Sequence, residues 1–142
     1  MQLANNEELD TFLKIHPSIK MMEVLMIDMN GIIRCKRIPR SEFAELFTEG
    51  LKSPASTVLL NVKGEFCDEL DKADLDGDPD RLIRPIKNTL SIIPWLESET
   101  AQVLSTFTEL DGEPNLFDSR NVLINSLKPL YALGLKLVVA TE

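Results

Sequence analysis

Arg34, Lys36 and Arg37 fall within four positions of the stretch DMNGIIRCKRIP, Asp28 to Pro39. Guanidinium and ammonium groups so placed can pair with carboxylates or phosphates. The rest of the chain runs the other way, with 23 acidic against 15 basic residues and a formal net charge of −8. Such a field repels phosphates before contact, which excludes a general nucleic-acid or anionic-membrane surface and favours cationic partners such as metals and amines. Strand alternation sends Arg34 and Lys36 to one face, while Arg37 shares parity with Ile33 and Cys35. Arg37 is then either a strand-end cation bonded to a local carboxylate or an arginine turned toward a subunit contact or an anionic ligand.

The acidic run DKADLDGDPD has the look of a calcium loop. Placing Gly77 at the obligatory glycine, however, puts Lys72 at the first ligand position and Ile83 where the bidentate glutamate belongs. That excludes an EF-hand, and Asp68 to Asp80 reads as a solvated loop. Cys35 and Cys67 share no metal-ligand spacing with each other or with His16, the single histidine, and two thiols of this kind point to a reducing compartment. His16 stands before Pro17, where it can reach the last carbonyls of a helix. Trp95, after Pro94, reads as a packed loop anchor. No GxxxxGK or GxGxxG run occurs, so nucleotide binding wholly within these residues lacks support. No catalytic pair can be chosen from spacing, and no catalytic residue is assigned. The N-terminus MQLANNEELD is acidic where a signal peptide is basic, and no apolar run approaches the roughly 20 residues that cross a bilayer. The expectation is a cytoplasmic, soluble chain with no nucleic-acid or membrane partner.

These residues need elements to hold them. At 44% hydrophobic content, a chain of this length can bury roughly two thirds of its unfolded surface in one domain. Asn5 and Glu8 have capping-box spacing, and Leu9, Phe12, Leu13 and Ile15 make an apolar stripe that Pro17 ends. MEVLMID and IIRCKRI predict two antiparallel strands around Asn30-Gly31. Ser41 is placed to cap a helix through Glu49, with Phe43, Leu46 and Phe47 inward and Gly50 as its stop. STVLLNV reads as a strand with Lys63-Gly64 as its turn. RLIRPI, TLSII and AQVLSTFTEL supply three more β segments, the last ending at Asp111, Gly112 and Pro114. Asp118 then caps a helix whose inner face is Val122, Leu123, Leu127 and Leu130, which Pro129 kinks and Gly134 stops, before LKLVVAT forms a final strand. A doubly apolar strand ordinarily sits inside a sheet, so the chain has the look of a fragment.

In order, DMNGIIRCKRIP, SPAST, DPDRLIRPI, FDSRNVL and GLKLVVATE resemble the N-terminal part of the glutamine synthetase family. Within that family the resemblance runs most strongly to the γ-glutamylpolyamine (putrescine) synthetases. It covers nearly the whole chain from about Met21. It implies an α+β fold: an N-terminal helix over 1–20, a β-grasp (ubiquitin-like) domain over 21–112, and the start of a truncated catalytic domain over 113–142. The implied reaction is ATP-dependent activation of the γ-carboxylate of glutamate as an acyl phosphate, which an amine or ammonia attacks. The family's ATP and Mg2+ (or Mn2+) belong to the full-length enzyme, and none is expected on the fragment, which should be inactive alone. The assembly implied is a ring-shaped homo-oligomer, a dodecamer, with active sites between subunits and the grasp domain as their wall.

The resemblance places Ser53, Ser56 and Asp80 on the substrate-pocket rim. Ser53 stands where ammonia-using members carry the aspartate of a D-G-S-S loop, which weakens an ammonium pocket and leaves room for a larger amine. It also makes Glu142 the first glutamate of an E-x-E metal pair, and it gives Arg34, Lys36 and Arg37 a role in subunit contacts. Two other readings fit the same residues: a stand-alone ubiquitin-like interaction module, and a non-catalytic regulatory homologue.

Overall fold

The computed structural model describes residues 1–65, 77–97 and 99–140. Cys67, Glu142 and the 66–76 part of the acidic run, with the Lys72 used to exclude an EF-hand, lie outside them. Helix α1 (Asn6–Ile15) starts where the Asn5 side chain accepts a hydrogen bond from the Glu8 backbone N–H at 3.1 Å. It buries Leu9 and packs Phe12 and Leu13 on the core. Ile15 closes the expected stripe but stays exposed.

Six strands form one curled, mixed sheet, which makes the fold α+β. They are β1 (Met21–Ile27), β2 (Ile33–Pro39), β3 (Leu51–Pro54), β4 (Asp80–Pro85), β5 (Ser91–Ile92) and β6 (Thr100–Thr108). Their order is β2-β1-β6-β4-β3, with β5 on β6. The β1–β6 pairing is parallel and the others are antiparallel. Met22, Val24 and Met26 alternate inward from β1, the period expected of a strand with one buried face. β6 has neighbours on both sides and is buried at most of its positions, including Ala101, Val103 and Phe107. Helix α2 (Phe43–Thr48) lays Phe43, Leu46 and Phe47 on this core. It ends at Gly50, whose φ is +89°. A Cβ there would lie 2.5 Å from Arg84 Cδ and 2.8 Å from the Ile83 carbonyl oxygen, so both the backbone conformation and the space call for glycine.

Four sequence expectations need correction. Ser41 caps nothing: residues Arg40–Glu42 form a 3₁₀ turn, and α2 starts after Glu42 with no side-chain cap. STVLLNV is not a strand. The strand is the preceding LKSP, after which Ala55–Leu59 winds into a 3₁₀ turn that buries Val58 and Leu59 by another backbone route. The third helix, α3 (Ser119–Ala132), is capped by Asp118 as expected, but its predicted inner face points out. Val122, Leu123 and Leu130 are exposed, and the buried residue is Asn121. Finally, LKLVVAT makes no strand over its described residues, and Leu135, Leu137, Val138 and Val139 are exposed.

The inversion of α3 has a polar cause. The Asp118 carboxylate accepts from Arg120 N–H at 2.9 Å, from the Thr106 hydroxyl at 2.7 Å and from Phe107 N–H at 2.8 Å. Asn121 Nδ2 donates to the carbonyls of Phe107 (2.9 Å) and Asn115 (3.1 Å). These buried bonds attach the helix start to the end of β6, and turning the apolar stripe inward would leave their buried donors and acceptors unsatisfied together.

Candidate functional site

The expected rim residues do come together. Antiparallel pairing of β3 with β4 sets Ser53 opposite Arg81 and Pro54 opposite Asp80. The ladder continues past the strand ends through Ala55 N–H to the Pro79 carbonyl at 3.3 Å. Beyond it, the Asp78 carboxylate accepts both from Ser56 N–H at 3.0 Å and from the Ser56 hydroxyl at 2.7 Å. A carboxylate at the start of the Ala55–Leu59 turn satisfies N–H groups that the turn itself leaves open. SPAST and DPD are thereby joined into one corner.

Within this corner the hydroxyls and the carboxylates play different parts. Ser53 and Ser56 are 8% and 4% exposed; the first lies 3.3 Å from Thr57 Oγ1 and the second is held by Asp78. Asp80 is exposed at the start of β4. Arg81 Nε stands 2.5 Å from Glu109 Oε2, which neutralises that carboxylate locally. The corner thus presents Asp80, backed by Asp78, as an anionic edge over buried hydroxyls. Such an edge attracts and hydrogen-bonds a cation, while the Ser56 hydroxyl and the Asp78 carboxylate hold each other.

Asp78 went unrecognised in the sequence, because its partner lies 22 positions away and nothing in the local spacing marks the contact. A second missed carboxylate lies in the β1–β2 hairpin. Asp28 is 1% exposed and accepts from the N–H groups of Asn30 and Ile32, each at 2.9 Å. Arg34 donates to it through Nε at 2.8 Å and Nη2 at 2.7 Å. Burial pushes the Asp28 carboxyl up, but the Ile32 N–H, the Arg34 side chain and the Asn30 N–H together hold it below its ordinary value. Arg34 Nη2 also donates to the Asn61 carbonyl at 2.9 Å, Met29 N–H to Val58 and the Asn30 amide to Leu60. The hairpin tip is thus stitched to the segment that follows the corner.

The three cations therefore differ. Arg34 is occupied inside the chain. Arg37 pairs with its cross-strand neighbour Glu23, which raises its pKa. Lys36 is exposed on β2, which pairs only with β1 among the described residues. Cys35 is exposed and free, and burial with the Glu23 charge pushes its thiol up despite Arg37. Trp95 is not the packed anchor expected: it is 72% exposed. The His16 ring lies against Phe12 at 4.8 Å.

Among the described residues no group of three or more His, Cys, Asp or Glu could hold a metal ion, and Glu142, the expected metal ligand, lies outside them. Nor is any helix there long and apolar enough to cross a membrane.

The chain is similar to three kinds of curated protein. It is 32% identical to gamma-glutamylputrescine synthetase PuuA of Escherichia coli (strain K12), over 98% of this chain and 29% of that protein. It is 30% identical to glutamate–isopropylamine ligase of a Pseudomonas species, over 82% of this chain and 26% of that protein. Human lengsin is 28% identical over 80% of this chain and 22% of its own length. The chain thus spans under a third of these relatives. No family model matches it.

Proposed function

The chain belongs to the glutamine synthetase family, and on that footing we propose that it is the N-terminal, non-catalytic wall of an ATP-dependent glutamate–amine ligase. In that reading the curled sheet over α2 is the family's β-grasp domain, covering 21–112. Asp118 to Glu142 opens a catalytic domain whose remainder lies outside these residues. The γ-carboxylate of glutamate is activated by ATP as γ-glutamyl phosphate, and an amine attacks the acyl carbon with loss of phosphate. Among the described residues no cluster of side chains fits the family's metal.

The observation that carries this reading is the corner. Its two carboxylates, Asp78 and Asp80, sit in one of the two segments that resemble the family's pocket rim and face the other, SPAST, whose Ser53 stands where ammonia-using members carry an aspartate. A neutral, buried hydroxyl at that place leaves NH4+ without its closest counter-charge. The exposed Asp80 supplies one farther out, at a position suited to the distal charge of an organic amine. The role of the chain is therefore to attract and align the amine at the boundary with a neighbouring subunit. Lys36 and Arg37 on edge strand β2 supply the contacts that hold the ring-shaped oligomer together.

The test is phosphate release from ATP by the full-length protein, with glutamate and a panel containing ammonia, monoamines and diamines. The expected result is turnover stimulated by an organic amine above ammonia. Glutamate-dependent turnover with ammonia alone would contradict the amine assignment, and no turnover with any member of the panel would contradict the ligase.

A further inference from the structure

We propose that Asn30, at the tip of the β1–β2 hairpin, is a positioning residue for the amine rim, holding the far end of the turn whose near end carries Ser56. This deepens the reading of the corner as a rim and rests on it. Residues Ala55–Leu59 form a 3₁₀ turn, which at roughly 2 Å per residue is about 10 Å long. A turn this short leaves most of its first N–H groups and last carbonyls without partners of its own, so the groups that supply those partners decide where it sits. At the near end the Asp78 carboxylate takes the Ser56 N–H and hydroxyl. At the far end the carbonyls of Val58, Leu60 and Asn61 accept from Met29 N–H at 2.9 Å, Asn30 Nδ2 at 2.7 Å and Arg34 Nη2 at 2.9 Å. Between the two ends Val58 and Leu59 are buried in the core.

All three far-end donors come from one hairpin tip, and one buried carboxylate arranges them. Asp28 accepts from Asn30 N–H and from Arg34, which fixes both residues that reach across with their side chains. The turn is therefore a short bar clamped at both ends. Loosening the hairpin clamp lets the bar pivot and moves Ser56. The two Ser56–Asp78 bonds then pass the shift to Asp80, two residues along the same segment. Little movement is needed, because a 1 Å misplacement set up far from a reacting centre can cost on the order of 100-fold.

Asn30 isolates this clamp. Met29 acts through its backbone, and removing Arg34 would strand the buried Asp28. The Asn30 side chain is exposed, and its amide donates to the Leu60 carbonyl alone among the described residues.

Amide hydrogen exchange on the 142-residue chain reads the clamp without any substrate. Asn30→Ala should speed exchange of the Ser56 N–H at least about fivefold, while the amides of the β1–β6 ladder stay within about twofold of wild type. A general loss of stability would speed both together. Asn30→Asp, which keeps the shape but replaces the donor with an acceptor, should act on Ser56 in the same way. In initial rates of the full-length protein, Asn30→Ala should raise KM for the amine about threefold, with kcat and KM for glutamate unchanged. Ser56 exchange that is unchanged, or faster only in parallel with the ladder, would overturn the clamp, as would a wild-type rate in Asn30→Asp. An amine KM that Asp80→Asn raises and Asn30→Ala leaves alone would overturn the positioning role. If neither variant raises it while Ser56 still exchanges selectively faster, the rim reading fails and takes the part of Asn30 in amine binding with it.

Discussion

The β1–β2 hairpin and the β3–β4 corner both concentrate charge, yet they use it in opposite ways. In the hairpin, Asp28 is buried with four donor groups on it, and Arg34 is anchored at both ends of its guanidinium. In the corner, Asp78 turns inward to Ser56 while Asp80 remains exposed without a side-chain partner among the described residues. A cluster conspicuous in sequence is thus largely structural, and a single carboxylate in an acidic run is the group left available. Chemical availability follows from what the fold has already satisfied, not from local charge density.

The sharpest way to break this contrast is Arg34→Met. It strands a buried carboxylate and should cost about 3 kcal/mol in urea unfolding, with Asp28→Asn on top recovering part of the loss. A cost under about 1 kcal/mol would make the hairpin pair as dispensable as a surface bridge. The pH dependence follows next. Because the folded Asp28 pKa lies below its ordinary 3.8, its contribution is fully present above that value and is lost as pH falls through the folded pKa. The wild type should therefore lose more stability than Asp28→Asn between neutral pH and pH values below about 4; equal losses would remove Asp28 from the account. In the corner, Asp78→Ala removes two hydrogen bonds to Ser56 and should cost about 1–2 kcal/mol. Asp80→Asn should change stability by less than about 0.5 kcal/mol, since nothing in the fold rests on its charge.

Much of the scaffold was legible. Asn5 capping α1, the paired strands around Gly31, the inward Phe43, Leu46 and Phe47, and the Gly134 stop of α3 are local signals, and the structure keeps each of them. What was not legible depends on partners distant in sequence. Val58 and Leu59 are buried whether their backbone is extended or a 3₁₀ turn, so an apolar run did not distinguish the two. The stripe of α3 was read correctly as a stripe but given the wrong direction, because the buried bonds of Asp118 and Asn121 to β6 decide which side faces in. Leu135 to Ala140 have the composition of a strand, but a strand also needs a ladder to join. At the site, Ser53, Ser56 and Asp80 came from resemblance, and Asp78 and Asp28 emerged only once their donors were in place.

Asp80→Asn in the full-length protein separates the two regions most cleanly, through initial rates of the proposed ligase reaction with the amine and glutamate varied separately. The expected result is a rise of about fivefold in KM for the amine, equivalent to about 1 kcal/mol, with KM for glutamate and urea stability unchanged. An unchanged amine KM, or an equal rise for both substrates, would contradict a corner that meets the amine.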